Sequence, residues 1–172
     1  VLKAKVAMPG NSFYAVNTHL TAFATDDTKQ KHINGFKNIL DGIVAEGHNF
    51  VAGGDLNALP PNAAKLDYCI EDQCSGESYH TGGDHNHKEG AYFAPEITWL
   101  SPLYQTYTPA ISLSEYGNQE TTHFTHSPDD NLKLDRKLDY LWTNTSWSNG
   151  TTHQEATALS DHIPVTALWA VK

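Results

Sequence analysis

The stretch Val51-Ala52-Gly53-Gly54-Asp55-Leu56-Asn57 constrains this chain most. An apolar strand stops at two glycines and then presents a carboxylate and an amide two residues apart. Alternate residues at a strand end face the same way, so Asp55 and Asn57 can address one small object together. A phosphate group with its metal ion is such an object. Three further segments read as partners of this one: Asn17-Thr18-His19-Leu20, Arg136-Lys137-Leu138-Asp139-Tyr140 and Ser160-Asp161-His162-Ile163-Pro164-Val165.

The periodicities around these segments predict an α/β layer. Leu2 to Met8 and Ser12 to Leu20 alternate as two strands about the turn Pro9-Gly10-Asn11, which makes a hairpin that delivers His19 at its end. Between Asp26 and Glu46, Ile33, Phe36, Ile39, Leu40, Ile43 and Val44 recur at three- and four-residue spacings. That is an amphipathic helix, with Asp26 and Asp27 as N-cap and first-turn acids and Gly47 as its stop. A strand over Asn49 to Gly53 follows, so strand, helix and strand are consecutive. Pro60 and Pro61 open a short helical segment, Ala63 to Tyr68. Strands are expected again at Thr122 to Thr125, Lys137 to Thr143, His153 to Thr157 and Ile163 to Ala170.

The polar, glycine-rich stretch after Tyr68 holds His80, His85 and His87, which read either as a metal tract or as a solvated loop. Aromatic residues from Tyr92 to Trp99 and from Tyr104 to Tyr107 either line a substrate groove or anchor the loop to the core. Hydrophobic residues make up 39% of the 172 positions, enough for a substantial core in one domain spanning 1–172. A net charge of -9 argues against a protein that grips long nucleic acid by phosphate neutralisation, and leaves open a phosphate reached through a metal ion. No stretch has the apolar length of a transmembrane segment. Cys69 and Cys74 can close a short disulfide in an oxidising compartment. With the sequons at Asn144 and Asn149 they favour a secreted or periplasmic protein over a cytoplasmic one.

Taken together and in order, the four segments resemble the motifs of the endonuclease/exonuclease/phosphatase superfamily, whose members include deoxyribonuclease I, inositol polyphosphate 5-phosphatases and neutral sphingomyelinases. The resemblance spans His19 to Val165. It implies two stacked mixed β-sheets flanked by helices, a four-layer α-β-β-α sandwich, and a Mg2+-dependent phosphoric ester hydrolase, with Ca2+ or Mn2+ as alternative ions. The substrate it implies is a phosphate ester of a nucleic acid, a phospholipid headgroup or an inositol phosphate.

By the same resemblance, His162 is the base that takes a proton from water, and Asp139 holds its ring in the right tautomer. Asp161 is a metal ligand. Asp55 orients the water or binds a second ion, and Asn57 is assigned both to the metal and to a phosphoryl oxygen. His19 stabilises the transition state or assists the leaving oxygen, and contacts the phosphate. The residue types suit the chemistry: hard oxygens for the ion and imidazoles for protons near neutral pH. Arg136 and Lys137 read as flanking or substrate-facing cations. The family's asparagine and metal-binding glutamate on early strands have no counterpart after Val1. The expectation is therefore a domain incomplete at its N-terminus, with open sheet edges that invite self-association. A non-catalytic binding or structural module that keeps the fold without turnover is the competing expectation.

Overall fold

The computed structural model describes residues 1–22, 26–68, 71, 91–128, 133–156 and 160–170. The chain is mixed α/β: a five-stranded mixed sheet and a separate two-stranded sheet, with a few helices. Strands β1 (Leu2–Met8) and β2 (Asn11–His19) form the expected antiparallel hairpin, with Met8 opposite Asn11 across Pro9-Gly10. Gly10 takes the positive φ of 78° that this tight reversal requires.

Helix α1 (Thr28–Ala45) runs from two residues after Asp26 to one before Glu46. It carries no acid in its first turn, and Asp26 accepts a hydrogen bond from the Thr28 backbone N–H at 2.8 Å. Its end is a Schellman motif: Gly47, at φ 77°, donates to the Val44 carbonyl and His48 to the Ile43 carbonyl. Strand β3 (Asn49–Asp55) follows and continues through both glycines instead of stopping at Gly53. It pairs in parallel with β2 and antiparallel with β5 (Asp139–Thr143), and β4 (Thr108–Pro109) closes the far edge.

One face of this sheet packs on α1. Val16 of β2, Phe50 and Ala52 of β3, and Tyr140 and Trp142 of β5 meet Ile33, Phe36, Leu40 and Ile43 in one core. A fully buried apolar side chain of this size contributes roughly 1.5–3 kcal/mol, which is why the spacing of those four residues decides the helix. The aromatic segment joins this core through Leu100 and Leu103 of α2 (Ser101–Thr106) and through Tyr107, with Trp99 and Tyr104 packed against it. The segment is thus part of the core packing. A short helix α3 (Leu113–Asn118) begins in a capping box between Ser112 and Glu115.

The opposite face, on which Phe13, Ala15 and His19 alternate with the core-facing residues, meets a two-stranded sheet of β6 (Trp147–Thr152) and β7 (Val165–Trp169). Trp169 stacks edge-on against Phe13 with ring centroids 4.8 Å apart. An apolar hollow of about 250 Å3 lies over Ala4, Ala15, Val51 and Leu141. Strand β1 lies at the edge of its sheet with Leu2 exposed, which is where the expected self-association would act.

Several local expectations are corrected. Ala63 to Tyr68 is not helical; it is irregular and bridges the segment around Tyr92, with Phe93 donating to the Leu66 carbonyl and Tyr68 to that of Ala91. Thr122 and His123 lie in a 3-10 turn (Glu120–His123), because Thr122 donates back to the Gln119 carbonyl. The segment around His153 is likewise a 3-10 turn, Gln154–Ala156, tied down by Gln154 to the carbonyls of Thr121 and Phe124. The strand lies earlier, at Trp147–Thr152, where polar residues and Asn149 at positive φ hide the alternation. Strand β7 starts after Pro164 and β5 after Leu138. Cys69, Cys74 and the His80, His85 and His87 tract lie outside the described residues.

Arg136 and Lys137 do not face solvent. Arg136 is buried, forks onto Asp135 at 2.9 and 2.7 Å, and lays its guanidinium over the Tyr68 ring. Lys137 is 1% exposed and donates to the Asp139 carbonyl at 2.7 Å. Burial pulls its ammonium down from 10.5 to about 8. Between those values the unfolded chain binds more protons, so wild-type stability rises with pH there, and the full penalty is present below pH 8. Lys137→Met should therefore gain on the wild type as pH falls from about 10.5 toward 8. Urea unfolding at both ends of that range measures the difference; a difference that does not change with pH would contradict the assignment.

Candidate active site

Sheet register assembles the site. His19 is the last residue of β2 and lies beside Asp55, the last of β3. Asp55 in turn lies directly opposite Asp139, the first of β5. Three chemically active side chains thus stand in a row across three neighbouring strands, on the face opposite α1. This close approach depends on Gly53 and Gly54, each of which lies against a neighbouring strand's backbone.

His162 is brought to the row by a strap that the sequence reading did not single out. Residues 125–127 pair with two segments at once: Thr125 and His126 donate to the Arg136 carbonyl, Ser127 donates to that of Asp161, and Ile163 donates to that of Thr125. The buried Thr125 hydroxyl also accepts the backbone N–H groups of Leu138 and Asp139 at 2.9 and 3.1 Å. One short segment therefore fixes both members of the His162–Asp139 pair.

His162 Nδ1 lies 2.8 Å from Asp139 Oδ2. An ionised carboxylate only accepts, so Nδ1 carries the proton and Nε2 of the neutral ring holds the lone pair. The Asp139 contact holds the His162 imidazole above the ordinary histidine range against the opposing effect of burial, with Asp55 and Asp161 adding to it. Nε2 points toward Asp55, 3.8 Å from its Oδ2. The same oxygen is 3.4 Å from His19 Nε2, and His19 is 74% exposed at the rim. Burial, and to a lesser degree the facing Asp139, raise the Asp55 carboxyl, while the Asn57 backbone N–H and both imidazoles oppose the rise.

Asn57 stands at φ 48°, so the alternation that would have aimed it with Asp55 is broken. Its amide nitrogen donates to Asp55 Oδ2 at 3.1 Å and to the Leu20 carbonyl at 2.9 Å, and its backbone N–H donates to Asp55 Oδ1 at 2.8 Å. Asn57 thus clamps Asp55. Each oxygen of Asp55 thus already accepts one hydrogen bond, which leaves about one lone pair on each for a hard ion. Asp161 fits one better: it is exposed, and the Ser160 hydroxyl at 2.8 Å holds its carboxyl below the usual carboxylate range. Mg2+ needs only one or two carboxylates because it keeps most of its waters.

His126 was not among the expected site residues. Its ring centroid is 4.9 Å from that of His162, and one donor atom each from His126, Asp161 and His162 lies within 4.8 Å of the others. The signal was a histidine one residue beyond the expected strand Thr122 to Thr125, and it carried no motif of its own. No protein-family model matches the chain, and no curated protein does either. No helix among the described residues is long and apolar enough to cross a membrane.

Proposed function

We propose that the protein is a metal-dependent phosphoesterase of the endonuclease/exonuclease/phosphatase type, in which His162 takes the proton of the attacking water. The observation that carries this reading is the 2.8 Å pair between His162 and Asp139, with the second imidazole nitrogen directed at Asp55. A carboxylate behind a histidine fixes its tautomer and stabilises the imidazolium formed when the proton is taken. Asp55, clamped by Asn57, orients the water beside Nε2. His19, exposed and next to Asp55, donates to the phosphoryl or leaving oxygen. Mg2+ held by Asp161 supplies charge neutralisation on the phosphoryl oxygens when bound.

The arrangement favours a local phosphate ester over a long duplex. A formal net charge of -9 weighs against gripping a polyanion by phosphate neutralisation. The observed layering of α1, the five-stranded sheet and the β6–β7 pair supports three layers of the four-layer sandwich, with 1–172 as one domain. The test is a panel of plasmid DNA, sphingomyelin and inositol phosphates offered with Mg2+. One class should be hydrolysed, and a chelator should stop it; indifference to all three would contradict the reading.

A further inference from the structure

We propose that His126, Asp161 and His162 form an inhibitory site for an imidazole-preferring divalent metal, of which Zn2+ is the type, and that metal bound there caps the base of the hydrolytic centre. The inference rests on the role assigned to His162 above, but its binding half does not. Among the described residues this is the one group of three histidine, cysteine or acidic side chains with donor atoms mutually within 4.8 Å. Tetrahedral zinc with nitrogen and oxygen ligands at about 2.0–2.2 Å needs donor separations of roughly 3.4 Å, a modest inward closure of side chains.

Three features select the ion. Two imidazoles and one carboxylate suit zinc and poorly suit Mg2+, which prefers oxygen. Each imidazole has a carboxylate near its Nδ1, the kind of group that supports a metal-bound histidine. Asp139 lies 2.8 Å from Nδ1 of His162, and Asp135 lies 3.6 Å from Nδ1 of His126, just outside hydrogen-bond reach. The buried Nδ1 of His126 has no hydrogen-bond partner and is left to donate to Asp135 when the other ring nitrogen holds a metal. The hydrolytic mechanism has no use for His126, yet the strap formed by residues 125–127 places it against His162. Three protein ligands leave a fourth position for water, and the lone pair of His162 that would take the substrate water's proton is then bound to metal.

The experiment titrates Zn2+, and Co2+ as its coloured probe, into chelator-treated protein by calorimetry and absorbance. Mg2+-supported hydrolysis is followed in parallel. Wild type should bind one zinc at this site and lose activity as it binds, and chelation followed by Mg2+ should restore it. H126N should bind at least about tenfold more weakly, keep its Mg2+-supported activity and resist zinc. D161N, read for binding alone, should weaken binding equally. A variant lacking His80, His85 and His87 should behave as wild type. Equal zinc binding by wild type, H126N and D161N would overturn the site, as would loss of binding in the His80/His85/His87 variant alone. Wild-type binding that depends on His126 without any hydrolysis to inhibit would keep the metal site and defeat the phosphoesterase reading.

Discussion

Substituting His162 with alanine should lower phosphodiester hydrolysis at least about a hundredfold, equivalent to a loss of roughly 3 kcal/mol of transition-state stabilisation. The loss should appear in kcat with little change in KM, because the imidazole acts on the water and does not hold the substrate. Asp139→Asn should follow in the same direction. An amide can present its NH2 to Nδ1, which reverses the tautomer and puts the proton on the nitrogen that must accept one. Asp139 meets His162 at 2.8 Å and His162 is partly exposed, so the fold should tolerate both changes. Rates within threefold of wild type for His162→Ala would remove it from the chemistry.

Replacing Gly54 with alanine should be the most damaging glycine-to-alanine change among the described residues. Its φ of 133° lies where side chains are strained, and an added Cβ would sit 1.9 Å from the Thr18 carbonyl oxygen in β2. Backbone strain of about 1–3 kcal/mol and overpacking of similar size put the loss on the order of 4 kcal/mol, a large part of the 5–15 kcal/mol that holds a typical domain together. Gly35→Ala is the matched control. Nothing lies within 4 Å of its Cβ position on α1, and removing a helical glycine should stabilise by up to about 1 kcal/mol. Urea unfolding of the two variants should therefore move in opposite directions; similar midpoints would contradict the close β2–β3 approach on which the site is built.

The glycines also show how far the chain could be understood before its fold was known. Asp55 and His19 were legible as polar residues at strand ends and Asp139 through the motif that holds it, and strand pairing alone then puts them in one row. The buried face of α1 was legible because its period and the three-dimensional face coincide. Asn57 was not: a single residue at positive φ turned its amide back onto Asp55, and periodicity carries no sign of φ. Arg136 and Lys137 look solvent-facing by type, and only the proximity of Asp135, Tyr68 and the Asp139 carbonyl explains their burial. His126 matters through a strap that bridges two distant segments, a relation no local window contains.

The central claim is that this cluster activates water against a phosphate ester. Its most direct test is hydrolysis of a simple phosphodiester by the wild-type protein with Mg2+ in 18O-enriched water, followed by phosphorus NMR of the product. The account predicts one solvent oxygen in each newly formed phosphate monoester and no product from His162→Ala above the uncatalysed level. Absence of turnover by the wild type would contradict it and favour a fold kept for binding, as would product formed equally well without His162.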